Sequence, residues 1–301
     1  MNNLSIGILT ACESDHHLTE PIYNELKKLG VQPNFIALTQ NNIVDSYHKA
    51  NNLFNQFKYD FILAVADRKE QLGGVLAAFD NNIPIGHLYS GDLNTGVSDD
   101  IHRAAITLYS QIQFCSCIES TENTIRLMRA AGLVPDANYV GATHFDGINI
   151  EKLNKVNADI EPYALISINS EMENTDDRLI KETLDIALSC AYPIDYLISK
   201  GNNDNKKIED ILFKELSKQD CVVVKQPRVD HITYLSQIKH CRYFITNSSS
   251  ANYEAPFLMN PDNILIVGKR NKERTRITDL AHDGKSSQRV AQLIKTFLEL
   301  R

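Results

Sequence analysis

The sequence predicts an α/β protein made of two doubly wound domains that face each other across a cleft. Three observations predict it. Short apolar runs bounded by turn residues alternate with helical patterns along nearly the whole chain. The strand candidates are continuously apolar rather than alternating, which suits parallel sheets covered on both faces. At 301 residues the chain also exceeds the size at which one core usually stops growing.

In order, residues 4–10 read as a strand and 18–29 as a helix closed by Gly30. A strand at 35–38 and a helix at 41–57 follow, then a strand at 61–66 and a helix at 69–80. Residues 83–88 form a strand, Gly91 and Gly96 keep the next loop compact, and 99–110 is a helix. A strand at 112–117, a helix at 120–131 and a short strand at 138–140 complete the first series. The polar stretch 149–162 interrupts it, placing the boundary near 155, with domains 1–155 and 156–301. The alternation restarts with strands at 164–168, 195–199 and 221–224 and helices at 177–191 and 206–217. A short helix, a strand at 243–246, a helix opening at Ser249–Ser250 and a strand at 263–267 follow. The last helix, 286–300, is long enough to pack back on the N-terminal domain.

Composition narrows the function. Hydrophobic and charged contents of 43% and 23% are those of an ordinary globular protein. A net charge of -7 argues against a nucleic-acid surface, which needs a basic face. No segment approaches the roughly 20 apolar residues that span a bilayer, so no membrane partner is expected and the cytoplasm is the expected compartment. The six cysteines lack metal-binding spacing, and Cys115 and Cys117 read as buried free thiols at a strand end. No metal or cofactor is implied. A homo-oligomer is compatible with the composition.

Polar residues concentrate where strands run into helices, the place where doubly wound sheets bind ligands. Asp67-Arg-Lys-Glu70 has two readings. Asp67 can cap the next helix with Glu70 completing a capping box, or it can serve a sugar hydroxyl or acid–base chemistry. Asp92, Asp99, Asp100 and Arg103 fall within twelve residues, and Arg103 shares a helix face with Asp99 or Asp100. An exposed ion pair is one reading. Acids beside an arginine that remove and return a proton are the other, and the compact glycine loop favours it. In the second domain, Asn247-Ser-Ser-Ser250 joins a buried strand to a helix, offering backbone N–H groups and hydroxyls to a diphosphate, or an ordinary serine cap. Glu254 is placed to accept bonds from ribose hydroxyls. A helix terminus supplies at most about 2 kcal/mol, whereas micromolar binding needs about 8. Charge-assisted bonds must supply the rest, and Arg270 and Arg274 are the obvious donors.

These blocks resemble the hydrolysing branch of the UDP-N-acetylglucosamine 2-epimerases. Asp67-Arg-Lys-Glu70 is similar to the family's Gly-Asp-Arg-x-Glu turn, and Gly91-Asp-Leu-Asn-Thr-Gly-Val-Ser-Asp-Asp-Ile-His-Arg103 to its acid–arginine loop. Asn202-Asn-Asp204 looks like its Asn-x-Asp turn. Tyr234, Asn247 to Ser250, Glu254-Ala-Pro256 and the Gly268, Arg270, Lys272, Arg274 series match its diphosphate and ribose block in order and spacing. The resemblance spans nearly the whole chain. It implies two Rossmann-like domains of glycosyltransferase-B type, a nucleotide-activated amino sugar such as a UDP sugar as partner, no cofactor, and a place in sialic acid or surface-polysaccharide synthesis.

The resemblance also assigns residues. Asp67, Asp92, Asp100 and Arg103 would surround the sugar as catalytic groups. Asp15, Arg68, Glu70, Asn202 and Asp204 would bind substrate. Ser248, Ser249 and Ser250 would hold the diphosphate with Arg270 and Arg274, and Glu254 the ribose. The implied chemistry is elimination of UDP with loss of the C2 proton, then addition of water to the 2-acetamidoglucal. Four positions depart from the pattern: Glu13 for an arginine, Tyr89 for an acid or histidine, Ala104 and Asn169 each for a histidine. A segment between the second strand and the second helix is absent. The alternatives are a non-catalytic nucleotide-sugar-binding protein and a glycosyltransferase of the same fold.

Overall fold

The computed structural model describes residues 4–38, 42–93, 99–143, 146, 150–155, 161–171, 176–190, 193–197, 203–219, 222–226, 229–272 and 283–300; of 13, 150, 152, 155, 176, 195–197 and 203–205 it describes the backbone alone. The chain forms two compact units, one from 1–93, 98–147 and 279–301, the other from 94–97 and 148–278.

The first unit alternates β1 (Ser5–Thr10), α1 (Glu13–Lys28), β2 (Gln32–Ala37), α2 (Ile43–Gln56), β3 (Phe61–Val65), α3 (Lys69–Asp80), β4 (Ile85–Leu88), α4 (Asp99–Tyr109), β5 (Ile112–Cys115), α5 (Ile118–Ala130) and β6 (Ala137–Tyr139). Its sheet is parallel, in the order β2-β1-β3-β4-β5-β6. The strand order reverses between β1 and β3, so the loops leaving those strands flank a switch point. Every residue of β3 is buried, as the apolar run requires. Edge strand β2 is buried only at Pro33 and Ile36, and it starts earlier than expected because an edge tolerates Pro33. Helix α1 also starts early. Pro21 lies inside it, and the polar run before Leu18 carries no apolar period to mark the helix.

The second unit contains α6 (Ile150–Lys155), β7 (Ala164–Ser167), α7 (Asp176–Ser189), β8 (Ile194–Leu197), α8 (Asn203–Leu216), β9 (Val223–Gln226), α9 (His231–His240), β10 (Tyr243–Thr246), α10 (Ser250–Tyr253), α11 (Ala255–Leu258) and β11 (Ile264–Ile266). Its parallel sheet runs β11-β10-β7-β8-β9, with the switch point between β7 and β10. This unit begins at 148, ahead of the expected boundary at 155. The polar interruption holds α6, whose Leu153 is buried and whose carbonyl accepts a bond from Ser236 on α9 at 3.3 Å. The helix expected from Ser249 is two short helices divided at Glu254.

Helix α12 (Ser286–Glu299) belongs to the first unit, not to the domain that precedes it in sequence. Val290, Ala291 and Ile294 bury its apolar face. Phe297 meets Phe61 edge-on at 5.8 Å between centroids, and the Arg289 guanidinium donates to the Val140 carbonyl at 2.8 Å. Cys115 is buried and its thiol is pushed up to about 12 by burial. Cys117, expected to be buried too, is only partly so. It caps α5 by accepting from the Ser120 N–H at 3.4 Å.

One polar side chain ties three of these elements together. His87 on β4 is fully buried, with Nε2 2.7 Å from the Ala66 carbonyl and Nδ1 3.0 Å from the Thr107 hydroxyl on α4. A carbonyl only accepts, so Nε2 carries a proton. The ring is neutral, and burial lowers its pKa from 6.5 to about 4. The unfolded chain therefore binds more protons between pH 6.5 and 4, and stability falls as pH drops through that window. The His87→Gln variant should lack this slope. Urea unfolding from pH 7 to 4 should show the parent losing about 3 kcal/mol more than the variant; parallel curves would show that His87 is not held neutral.

Candidate functional site

In the first unit the expected acids gather at the carboxyl ends of the strands. Beside the switch point, Asp15 is 3% exposed and accepts from the Ala11 N–H at 2.8 Å and the Gln71 amide at 3.0 Å. Burial raises its pKa against those two bonds. Gln71 also donates to the Leu9 carbonyl and accepts from the Val65 N–H, clamping β1 to β3. Arg68 is exposed, and its charge acts on Asp15. Glu70 lies in the first turn of α3.

The turn after β3 is strained. Ala66 has φ 58°, a conformation that L residues other than glycine seldom adopt, and His87 holds its carbonyl. The capping reading of Asp67 does not hold: Arg68 is the N-cap of α3 and makes no side-chain cap bond. Asp67 instead pairs with Arg103 on α4, thirty-six positions away. Arg103 is 3% exposed, donates to the Tyr89 carbonyl at 2.9 Å, and lies 3.7 Å from Asp100. This is no exposed ion pair. A guanidinium removed from water needs such partners, because an uncompensated buried charge costs several kcal/mol. Asp99 and Asp100 open α4 and remain half-exposed.

Asp92 lies in the loop after β4, 4% exposed, and accepts from the hydroxyls of Ser116 and Ser120, each at 2.6 Å. Gly91 allows this approach. Its φ is 76°, and a Cβ there would be driven into the Ser120 carbonyl. Tyr89, which stands where the resembled family has an acid or histidine, also has positive φ, at 64°. Its ring is buried, its hydroxyl 3.0 Å from that of Thr143.

In the second unit the switch point is bridged by an amide. Asn247 accepts from the Asn169 N–H and donates to the Asn169 carbonyl, both at 2.7 Å. Asn169 thus serves through its backbone where the resembled family has a histidine. Ser248 donates its N–H to Thr246 at 2.9 Å, and its hydroxyl lies 3.3 Å from that of Ser250. Ser249 is half-exposed and makes no cap bond, whereas the Ser248 hydroxyl accepts from the Ser250 N–H at 3.3 Å, so a serine does cap this helix start. Tyr234 is pushed up to about 12 by burial, with Ser250, Ser167 and Ser248 around its hydroxyl and the charge of Glu254 nearby. Glu254 is 7% exposed. The turn after β11 carries Arg270, half-buried, and Lys272, 3.8 Å from Glu182. Asn202 and Arg274 lie outside the described residues, as do the side chains of Glu13 and Asp204.

Several residues that position these groups were not singled out from the sequence: His87, Gln71, Ser116, Ser120 and Glu171. A histidine inside an apolar strand and a glutamine on the buried face of α3 are the visible signals. The others depend on pairings between distant turns. No group of His, Cys, Asp and Glu among the described residues could hold a metal ion. No helix among them is long and apolar enough to cross a membrane.

Residues 19–301 match the UDP-N-acetylglucosamine 2-epimerase family. The chain is 25% identical over 242 residues to the GDP/UDP-N,N'-diacetylbacillosamine 2-epimerase (hydrolyzing) of Campylobacter jejuni, covering 76% of this chain and 62% of that relative's length. It is 23% identical over 273 residues to the UDP-N,N'-diacetylbacillosamine 2-epimerase (hydrolyzing) of Legionella pneumophila, covering 79% of this chain and 71% of that one. Among solved structures, the S. aureus MnaA-UDP co-structure superposes with a TM-score of 0.76 at 17% identity, over 99% of this chain and 98% of that one. The UDP-GlcNAc 2-epimerase from Neisseria meningitidis bound to UDP-GlcNAc also gives 0.76, at 15% identity, over 97% and 100%. At these identities the structural likeness establishes the fold, two Rossmann-like domains of the glycosyltransferase-B-like class. By the extent of the family match, the chain belongs to the UDP-N-acetylglucosamine 2-epimerase family.

Proposed function

We propose that the chain is a hydrolysing 2-epimerase of a nucleotide-activated 2-acetamido sugar, with conversion of UDP-N-acetylglucosamine to N-acetylmannosamine and UDP as its reference reaction. The observation that carries this reading is the buried Arg103, paired with Asp67 and Asp100 from two different turns of a family member. The diacetylbacillosamine 2-epimerases among the relatives keep the same reaction class with a different amino sugar.

In the proposed reaction a carboxylate takes the C2 proton while the C1–O bond breaks and its electron pair leaves on the diphosphate. The 2-acetamidoglucal then gains a water oxygen at C1 and a proton at C2 on the opposite face. Asp67, Asp92 and Asp100 are the acid–base groups, and Arg103 holds Asp67 and Asp100 in place. Ser248, Ser249, Ser250, Arg270 and Arg274 hold the diphosphate and Glu254 the ribose. Asp15, Arg68, Glu70, Asn202 and Asp204 bind the rest of the substrate. A second reading, a non-catalytic nucleotide-sugar-binding protein, is favoured by Tyr89 and Asn169: one hydroxyl faces Thr143, and the other residue offers no titrating group.

Two measurements test these assignments. The Ser249→Asp variant sets a carboxylate against the diphosphate, so calorimetry should show UDP affinity at least about tenfold below the parent's, or about 1.4 kcal/mol. Equal affinities would move the diphosphate elsewhere. With turnover run in D2O, product should carry deuterium at C2, and Asp100→Asn should slow that incorporation by about 10²–10⁴-fold while UDP binding is kept. A parent that binds UDP yet neither exchanges nor turns over any sugar nucleotide would establish the binding-protein reading.

A further inference from the structure

We propose that Glu171 is a positioning residue that locks the turn after β11 onto the turns after β7 and β10, so that Arg270 and the serine turn form one prefolded platform. The proposal rests on the assignment of Ser248 to Ser250 and Arg270 to the diphosphate.

A single oxygen carries the contact. Oε1 of Glu171 accepts from the backbone N–H groups of Lys269 and Arg270, both at 2.8 Å, and lies 3.5 Å from the Asn247 amide nitrogen. Successive backbone N–H groups aimed at one point form a cradle for an anion, and here the chain's own carboxylate fills it. The turn is shaped for that carboxylate. Gly268 has φ 68°, and a Cβ there would collide with the same Oε1. Two further bonds complete the lock: Asn271, itself at φ 62°, donates to the Asn247 carbonyl at 2.7 Å, and the Gly268 N–H donates to Glu182 at 3.2 Å.

Asn247 therefore faces all three turns, holding Asn169 with its amide and accepting Asn271 at its carbonyl while its own nitrogen approaches Glu171. The turn immediately after Asn247 is Ser248 to Ser250. Residues that fix the backbone of Lys269 and Arg270 against Asn247 thereby fix the spacing between the arginine and the serines. Ordering that would otherwise be paid on binding is complete beforehand. Glu171 acts through an acceptor oxygen, so a glutamine, which keeps a carbonyl at that position, retains part of the function.

The test compares Glu171→Ala and Glu171→Gln in the full chain, read by UDP calorimetry and by amide hydrogen exchange at Lys269 and Arg270. The alanine variant should bind UDP at least about tenfold more weakly and exchange both amides faster, as expected for loss of charge-assisted bonds. The glutamine variant, which keeps an acceptor oxygen without the charge, should lie between the alanine variant and the parent in both. An alanine variant with parental affinity and exchange overturns the proposal, as does a glutamine variant as impaired as the alanine one. If the parent binds no nucleoside diphosphate, the functional assignment fails on its own. The exchange rates then still decide whether Glu171 holds the turn, and the glutamine comparison does so even where the alanine variant does not fold.

Discussion

Burying the Arg103 guanidinium strips water from a permanent charge, and the first unit replaces that water with Asp67, the Tyr89 carbonyl and Asp100. Each partner comes from a different place in the chain: the turn after β3, the turn after β4, and the first turn of α4. Asp67 and Asp100 balance the charge and the Tyr89 carbonyl accepts one of its N–H groups, so the buried guanidinium draws the three places together. This explains why strain is accepted nearby. Ala66 and Tyr89 both adopt positive φ next to the groups that Arg103 holds, and His87 fixes the Ala66 carbonyl from below. Asp67 and Asp100 are thus held in place by one buried guanidinium.

The second unit meets a similar constraint with one amide and one carboxylate. Its switch point is closed by the Asn247 amide, which both donates and accepts, and its last turn is folded around a carboxylate oxygen. The strongly charged residues there, Arg270 and Lys272, lie on one turn, where the Lys269 and Arg270 N–H groups are already bonded to Glu171. A diphosphate is bound best by such fixed dipoles together with a few cations, since preformed groups lose little entropy on binding.

Much of the fold could be read from the chain because its strands are short apolar runs between turn residues. Helix α3 and strand β10 have the bounds expected of them, and most other elements differ by a few residues at their ends. The larger differences have local causes. Helix α1 extends back through a polar run to Glu13, α6 lies inside a stretch with no apolar period, and the helix after the serine turn divides at Glu254. The motif residues Asp67 and Arg103 were visible as candidates, but not as a pair. Local spacing favoured a cap for Asp67 as much as a site, and only the folded sheet brings it to α4. Glu171 left no signal at all, because its partners are about a hundred positions away and are backbone groups that any sequence carries.

The pairing of Arg103 with Asp67 is most directly measured by a double-mutant cycle on stability, using Asp67→Asn, Arg103→Met and the double variant in urea unfolding. Each single change should be strongly destabilising, and the double variant should recover part of the loss, giving a coupling of about 2–3 kcal/mol. Single effects that add to within about 0.5 kcal/mol would contradict the account, because the two groups would then not be holding each other.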